Sequence, residues 1–228
     1  MNKKNIINFS ITAGLFVIFA IFTILVKFVD TSLVVATNTK IGFSSINKPI
    51  FEALGTSDAW GTISLILFVV AGLIVLTLAV IGIKEWFANK QLSKVNHKIL
   101  FLLGLYTLTV IFYFLFEILA VNYRPLLDEG LVKLSYPSSH TLLICVICLS
   151  ACFVVPDYIK NKPLKITITC ILIAVSILAP LSRLLAGMHW FTDVIGSLIL
   201  SVALVMCYYS STCLVKKQNK QTNEKTPE

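Results

Sequence analysis

Charge is what this chain has least of. Only 13% of its 228 residues are charged, 11 of them acidic, where a soluble domain carries about a quarter. With 57% hydrophobic residues and a mean hydropathy of +0.89, too little polar surface remains to cover a fold in water. Histidine is rarer still, at three residues. The six cysteines all fall within apolar runs. Cys145 and Cys148 form a CxxC with no second pair, which speaks against zinc or redox chemistry and for small buried hydrophobes. There is no disulfide framework, no internal repeat and no soluble second domain. The formal charge of +8 comes mainly from lysines beside the apolar runs, a pattern of membrane orientation rather than of nucleic-acid binding.

What the chain does have is long uncharged runs. Residues 61–83 hold 23 residues without a charge, enough to cross a bilayer. A short basic start leads into uncharged residues 5–26, and no A-x-A-like cleavage site follows, so this run is read as an uncleaved first helix. Further spans are expected at 99–120, 138–155, 166–181 and from near His189 to before Lys216. The expectation is an all-α bundle of six transmembrane helices over 1–215, with a polar cytoplasmic tail at 216–228. If the N-terminus is inside, 13 of the 19 basic residues lie on the inner side; Lys27, Lys40, Lys48, Arg124, Lys133 and Arg183 lie on the other. That asymmetry predicts a multi-pass cell-membrane protein with both termini in the cytoplasm. Residues 30–60 are expected as short helical turns on the outer surface. Ile50, Phe51, Leu54 and Trp60 would rest among head groups there; a lid over the site is the alternative.

Two polar stretches interrupt the apolar pattern. Residues 182–193 contain Ser182, Arg183, His189 and Asp193. Residues four apart share a face of a helix, so Asp193 can hold one imidazole nitrogen and leave the other free to attack an electrophile. Arginine offers a planar fork suited to phosphate. The second stretch carries Arg124, Asp128, Lys133 and then Pro137-Ser138-Ser139-His140. Ser138 is a natural N-cap, and a helix start with free N–H groups is a ready anion site. The predicted topology brings both stretches to the outer face. One histidine alone would be read as structural. Two histidines, two arginines and an aspartate converging at one membrane face favour a site. His97, among cytoplasmic lysines, is read as solvated.

Arg124-Pro125, Pro137-Ser138-Ser139-His140 and Ser182-Arg183 with His189 and Asp193 resemble the three-part signature of the type 2 phosphatidic acid phosphatase superfamily: KxxxxxxRP, PSGH and SRxxxxxHxxxD. The third part matches fully. In the second, Ser139 stands where the family has glycine; in the first, Glu117 stands at the family's lysine. The resemblance implies a six-helix membrane enzyme that hydrolyses a lipid phosphomonoester or diphosphate without metal or cofactor. Undecaprenyl diphosphate, phosphatidylglycerophosphate and phosphatidic acid are candidate substrates, approached from the bilayer. By analogy His189 would attack phosphorus, Asp193 would orient it, and His140 would protonate the leaving oxygen and then activate water. Arg124, Arg183, Ser138 and Ser139 would hold the phosphoryl oxygens.

Three other readings stand beside this one. A phosphotransferase would use the same site, and a non-catalytic lipid-phosphate binder or transporter would use its cations alone. A metal site built on His140, His189 and Asp193 would need a further ligand at about 2 Å beside two arginines that repel a cation. The sequence specifies no oligomeric state. At Glu117 a lysine-to-glutamate exchange against a phosphate about 5 Å away turns an attraction of roughly 3 kcal/mol, at an effective dielectric near 20, into a repulsion of like size. Glu117 is therefore expected below the phosphate, about 10 Å down one helical face from Arg124 and tethering it directly or through water. Lys133 is expected to supply the missing cation.

Overall fold

Hydrocarbon cannot hydrogen-bond to a backbone, so apolar runs of this length satisfy their own N–H and C=O groups as helices. The computed structural model describes residues 3–225, with side chains described through residue 215. Its elements are α1 (Lys3–Phe28), a hairpin of β1 (Ser32–Val34) and β2 (Thr39–Ile41), α2 (Ser44–Leu54), α3 (Asp58–Asn89) and a 3₁₀ turn (Leu92–Lys94). They continue with α4 (His97–Leu119), α5 (Ser139–Tyr158), α6 (Lys162–Leu185) and α7 (Phe191–Lys225). Among the described residues, α1, α3, α4, α5, α6 and the 191–215 part of α7 are long and apolar enough to cross a membrane. The all-α, six-span bundle expected from the sequence is the fold observed. The helix of α7 continues to Lys225; the side chains of the polar tail expected at 216–228 lie outside the described residues.

α5 is the axis of the bundle, with α3, α4, α6 and α7 packed around it. In its most apolar stretch 56% of residues are buried, against 11% in α3. Small residues make this possible. Thr141, Cys145, Cys148, Ser150 and Ala151 are all buried on α5 and let neighbouring backbones approach. Cys145 Sγ donates to the Ser176 carbonyl of α6 at 3.3 Å, so the CxxC is a packing feature. The sequence expectation of buried thiols holds fully only for Cys145 and Cys148: Cys152, Cys207 and Cys213 are half-buried, and Cys170 is exposed on α6.

At the other end of the bundle from the 3₁₀ turn, the connections form a cap. Residues 30–60 depart from the expected membrane-surface turns, because Asp30 organises them into a hairpin closed onto a helix. Its carboxylate accepts from Ser44 Oγ and from the backbone N and Oγ of Ser45. Antiparallel pairing of Ser32 with Ile41 follows. α2 then docks inward. Asn47 is fully buried, its Nδ2 donating to Gly42 O and Thr192 Oγ1 while its Oδ1 accepts from Thr192 N. Phe51 packs on Trp190 with ring centroids 5.3 Å apart, where the sequence suggested a place among head groups.

Candidate active site

The stretch between α6 and α7 turns sharply at Gly187 (φ +66°), where a Cβ would come 2.4 Å from Thr56 Cγ2. This turn delivers His189 ahead of α7 instead of on it, so His189 and Asp193 are not neighbours on one helical face. Asp193 sits in the first turn of α7 and reaches back to accept from Trp190 N at 3.0 Å through Oδ2, one half of a capping box. Its Oδ1 accepts from Asn122 Nδ2 at 3.0 Å.

His189 is 3% exposed. Its Nδ1 lies 2.9 Å from the Ser135 carbonyl and 3.9 Å from Asp193 Oδ2. A carbonyl can only accept, so Nδ1 carries the proton and Nε2 holds a lone pair. Nε2 meets Arg183 Nη2 at 3.1 Å. Burial holds the His189 pKa below the usual histidine value; Asp193 opposes that and Arg183 adds to it. The ring is a neutral base with its nucleophilic nitrogen beside a guanidinium. Sequence reasoning assigned Asp193 as the ring's partner, whereas the direct acceptor is a backbone carbonyl with Asp193 just behind it.

Arg183, 3% exposed, also reaches Ser64 Oγ of α3 at 3.4 Å, and its buried Nε makes no hydrogen bond. Ser182 turns away, donating to Ala179 O. The segment before α5 is a short hairpin in which Tyr123 pairs with Leu134 and Arg124 N donates to Lys133 O at 2.9 Å. Arg124 Nη1 is hydrogen-bonded to Asp128 Oδ2, and Lys133 Nζ lies 3.0 Å from the same oxygen. A cavity of about 370 Å³ is lined by Arg124, Lys133, Glu117, Ser135, Ser139 and His189, with apolar walls from Phe116, Tyr136 and Leu142. That volume suits a small polar group with part of an attached chain.

Ser138 takes the N-cap position of α5, but its buried hydroxyl donates to Thr141 Oγ1 at 3.0 Å instead of capping a backbone N–H. His140, in the first turn of α5, does not line the cavity. Its ring lies 4.6 Å from that of Phe68, and its buried Nδ1 has no hydrogen-bond partner. No direct ion pair joins Glu117 to Arg124. α4 ends at Leu119 with Ala120 at φ 45°, so Arg124 is not on the helix and pairs with Asp128. Glu117 instead stands exposed at the end of α4 on the cavity wall. No group of three or more His, Cys, Asp or Glu side chains that could hold a metal ion occurs among the described residues.

Asn122, Ser135 and Tyr136 carried no sequence signal beyond their place beside the motifs. Asn122 is 1% exposed and links the two stretches: its side chain holds Asp193, and its carbonyl accepts from Ser135 N at 2.9 Å. Tyr136 anchors the Ser135 carbonyl from the other side, bonding Thr23 Oγ1 at 2.8 Å and packing on Phe19 and Phe116. A Cβ at Gly196 would lie 2.5 Å from this ring. Gly196→Ala is therefore expected to destabilise the protein by about 1–3 kcal/mol and to lower activity through a displaced Ser135 carbonyl. Thermal unfolding in detergent checks the first effect; an unchanged midpoint would show that the ring can yield.

A family model described as the PAP2 superfamily matches residues 10–215. The fold is similar to the crystal structure of the first transmembrane PAP2 type phosphatidylglycerolphosphate phosphatase from Bacillus subtilis. Identity is 20%, the match covers 87% of this chain and 94% of that one, and the TM-score is 0.60. At this identity the likeness bears on the fold. Among curated proteins none matches in sequence.

Proposed function

The chain belongs to the PAP2 superfamily, and from that premise we propose that it is a membrane lipid phosphatase working through a phosphohistidine. The observation that carries this reading is the His189 ring: Nδ1–H on the Ser135 carbonyl, and Nε2 free of protons at 3.1 Å from Arg183, on a cavity shared with Arg124 and Lys133. Phosphoryl transfer asks a protein mainly for in-line positioning and positive charge around the equatorial oxygens. Nε2 attacks phosphorus as the bond to the lipid oxygen breaks, and the developing imidazolium is stabilised through Nδ1 by Ser135 O and the Asp193 charge. His140, off the cavity lining but within electrostatic reach of His189, Arg183 and Arg124, protonates the leaving oxygen; its unpartnered Nδ1 is the kind of buried group that awaits a ligand. Water then attacks the phosphohistidine, giving its proton to His140. Arg183, Arg124, Lys133 and the backbone around Ser139 hold the phosphoryl oxygens, while the Ser138 N–H is taken by the Asp193 carbonyl. The substrate is a lipid phosphomonoester or diphosphate of the phosphatidic acid, phosphatidylglycerophosphate or undecaprenyl diphosphate kind.

The deciding experiment is phosphate release by purified protein in detergent from a panel of lipid phosphates, with and without EDTA. Release from at least one of them, surviving EDTA, is expected. No release from any, or loss with EDTA that zinc restores, sinks the reading. Glu117 on the cavity wall favours one rival, a binder that does not turn over, and that rival predicts saturable binding without release. Phosphate appearing on a second lipid instead of in solution would identify a transferase.

The site is proposed to face outward. In a background without the six native cysteines, a cysteine at exposed Glu129 should react with an impermeant maleimide in intact cells. One at exposed Ser93, in the 3₁₀ turn at the opposite end, should react only after the cells are opened. The reverse pattern would put the chemistry in the cytoplasm.

A further inference from the structure

The hairpin between α4 and α5 holds its own anion against the cations of the cavity. At its tip Asp128 N donates to Leu131 O and Leu131 N to Asp128 O, both at 3.0 Å. The two residues between, Glu129 and Gly130, take φ 53° and 75°, the left-handed pair that closes a two-residue turn. Arg124 and Lys133 face each other across the two legs. Asp128 is thus fixed where a single oxygen, Oδ2, meets both of them. Hydrogen bonding from Lys133 first, then the charges of Arg124 and Arg183, hold the Asp128 carboxyl below its usual pKa, so it is ionised at neutral pH. The pair is not a remote surface contact, since Arg124 and Lys133 both line the cavity with His189.

We infer that Asp128 is a specificity-determining residue, a built-in carboxylate that a dianionic phosphate displaces from Arg124 and Lys133 and a monoanionic phosphodiester does not. This rests on the reading of the cavity as a lipid-phosphate site. A phosphomonoester carries about −1.5 to −2 charges near pH 7 and three strong acceptor oxygens. Exchanging it for one carboxylate strengthens the attraction to the two cations. A diester head group brings one charge and two free oxygens, so the exchange gains nothing to offset its own desolvation. On the proposed function the substrate comes from a membrane whose bulk lipids are diesters at high local concentration. Without the internal carboxylate they would compete for the same cations.

The test uses the full-length protein in neutral detergent, with Asp128→Asn and Asp128→Ala beside the parent. In the first arm, thermal shift by inorganic phosphate should reach half its maximum at about threefold lower phosphate in both variants, the size expected for release from a partly exposed ion pair. In the second arm, phosphatidic acid hydrolysis is followed as phosphatidylglycerol is added, with neutral detergent as the dilution control. The parent should fall only as far as the control, whereas the variants should be inhibited competitively. Phosphate binding to the variants no more tightly than to the parent overturns the inference. So does equal inhibition of parent and variants by phosphatidylglycerol, and so does a raised KM in the variants, which would make Asp128 a support for the cations instead of a competitor. If the parent hydrolyses no lipid phosphate, the proposed function fails, and the phosphate arm alone still decides the role of Asp128.

Discussion

Replacing His189 with asparagine is expected to reduce lipid-phosphate hydrolysis by at least about 10⁴-fold and to abolish an acid-labile phosphoenzyme. Asparagine can still donate to the Ser135 carbonyl, so the packing of a residue that is 3% exposed is largely kept and the loss reports chemistry. The pH dependence adds a second check. Burial holds His189 below the ordinary histidine pKa of about 6.5, so the neutral, nucleophilic ring is the form present at pH 7. Protonation removes the lone pair only at lower pH. The rate of phosphoenzyme formation should therefore persist as pH falls through 6.5 and decline below it. Rapid-quench measurement across this range tests the sign; a midpoint at or above 6.5 would contradict it. Full activity in His189→Asn would remove the nucleophile altogether.

Arg183→Lys is expected to lower kcat by about 10²- to 10³-fold, although it keeps the charge. The guanidinium spans two elements at once, Nη1 toward Ser64 on α3 and Nη2 on His189 Nε2. An ammonium is one compact donor centre and cannot hold both positions. In the proposed mechanism the fork that met Nε2 is already placed for an equatorial oxygen, and a lysine would have to find that position during the reaction. The effect should fall mainly on kcat, because Arg124 and Lys133 still hold the phosphate in the ground state. Equal changes in kcat and KM, or a rate within tenfold of the parent, would show that Arg183 serves packing instead. His140→Asn offers a contrast: with a good leaving group it should still trap some phosphoenzyme, since protonation of the leaving oxygen matters less there.

Much of this site was visible in the order of residues because charge is so scarce. Arg183, His189 and Asp193 stand out against apolar runs, and alternation of six spans was enough to bring residues 124–140 to the same end of the bundle. The connections were less legible. The tether from Glu117 to Arg124 assumed a continuous helix, and α4 stops five residues short of Arg124. Pro125 disfavours helix at Arg124, but nothing local places the stop as early as Ala120, a good helix former held in the left-handed region by the tertiary structure. The hairpin of residues 32–41 was missed for a similar reason: its closing contact, Asp30 with Ser44 and Ser45, joins residues on either side of it.

What the sequence determined by itself was the class of environment, the number of spans and the inventory of groups able to do chemistry. Hydropathy and charge act residue by residue and need no partner to be read. What only the tertiary structure decided was who touches whom. The nucleophile candidate is held by the Ser135 carbonyl, a group every residue possesses and no composition reveals. Asn122 matters because the chain returns to it from 71 residues away at Asp193. Asp128 faces Arg124 and Lys133 because a two-residue turn aims it there. Hydrogen bonds and ion pairs act over about 3 Å, and only the folded path of the backbone brings such groups within that distance.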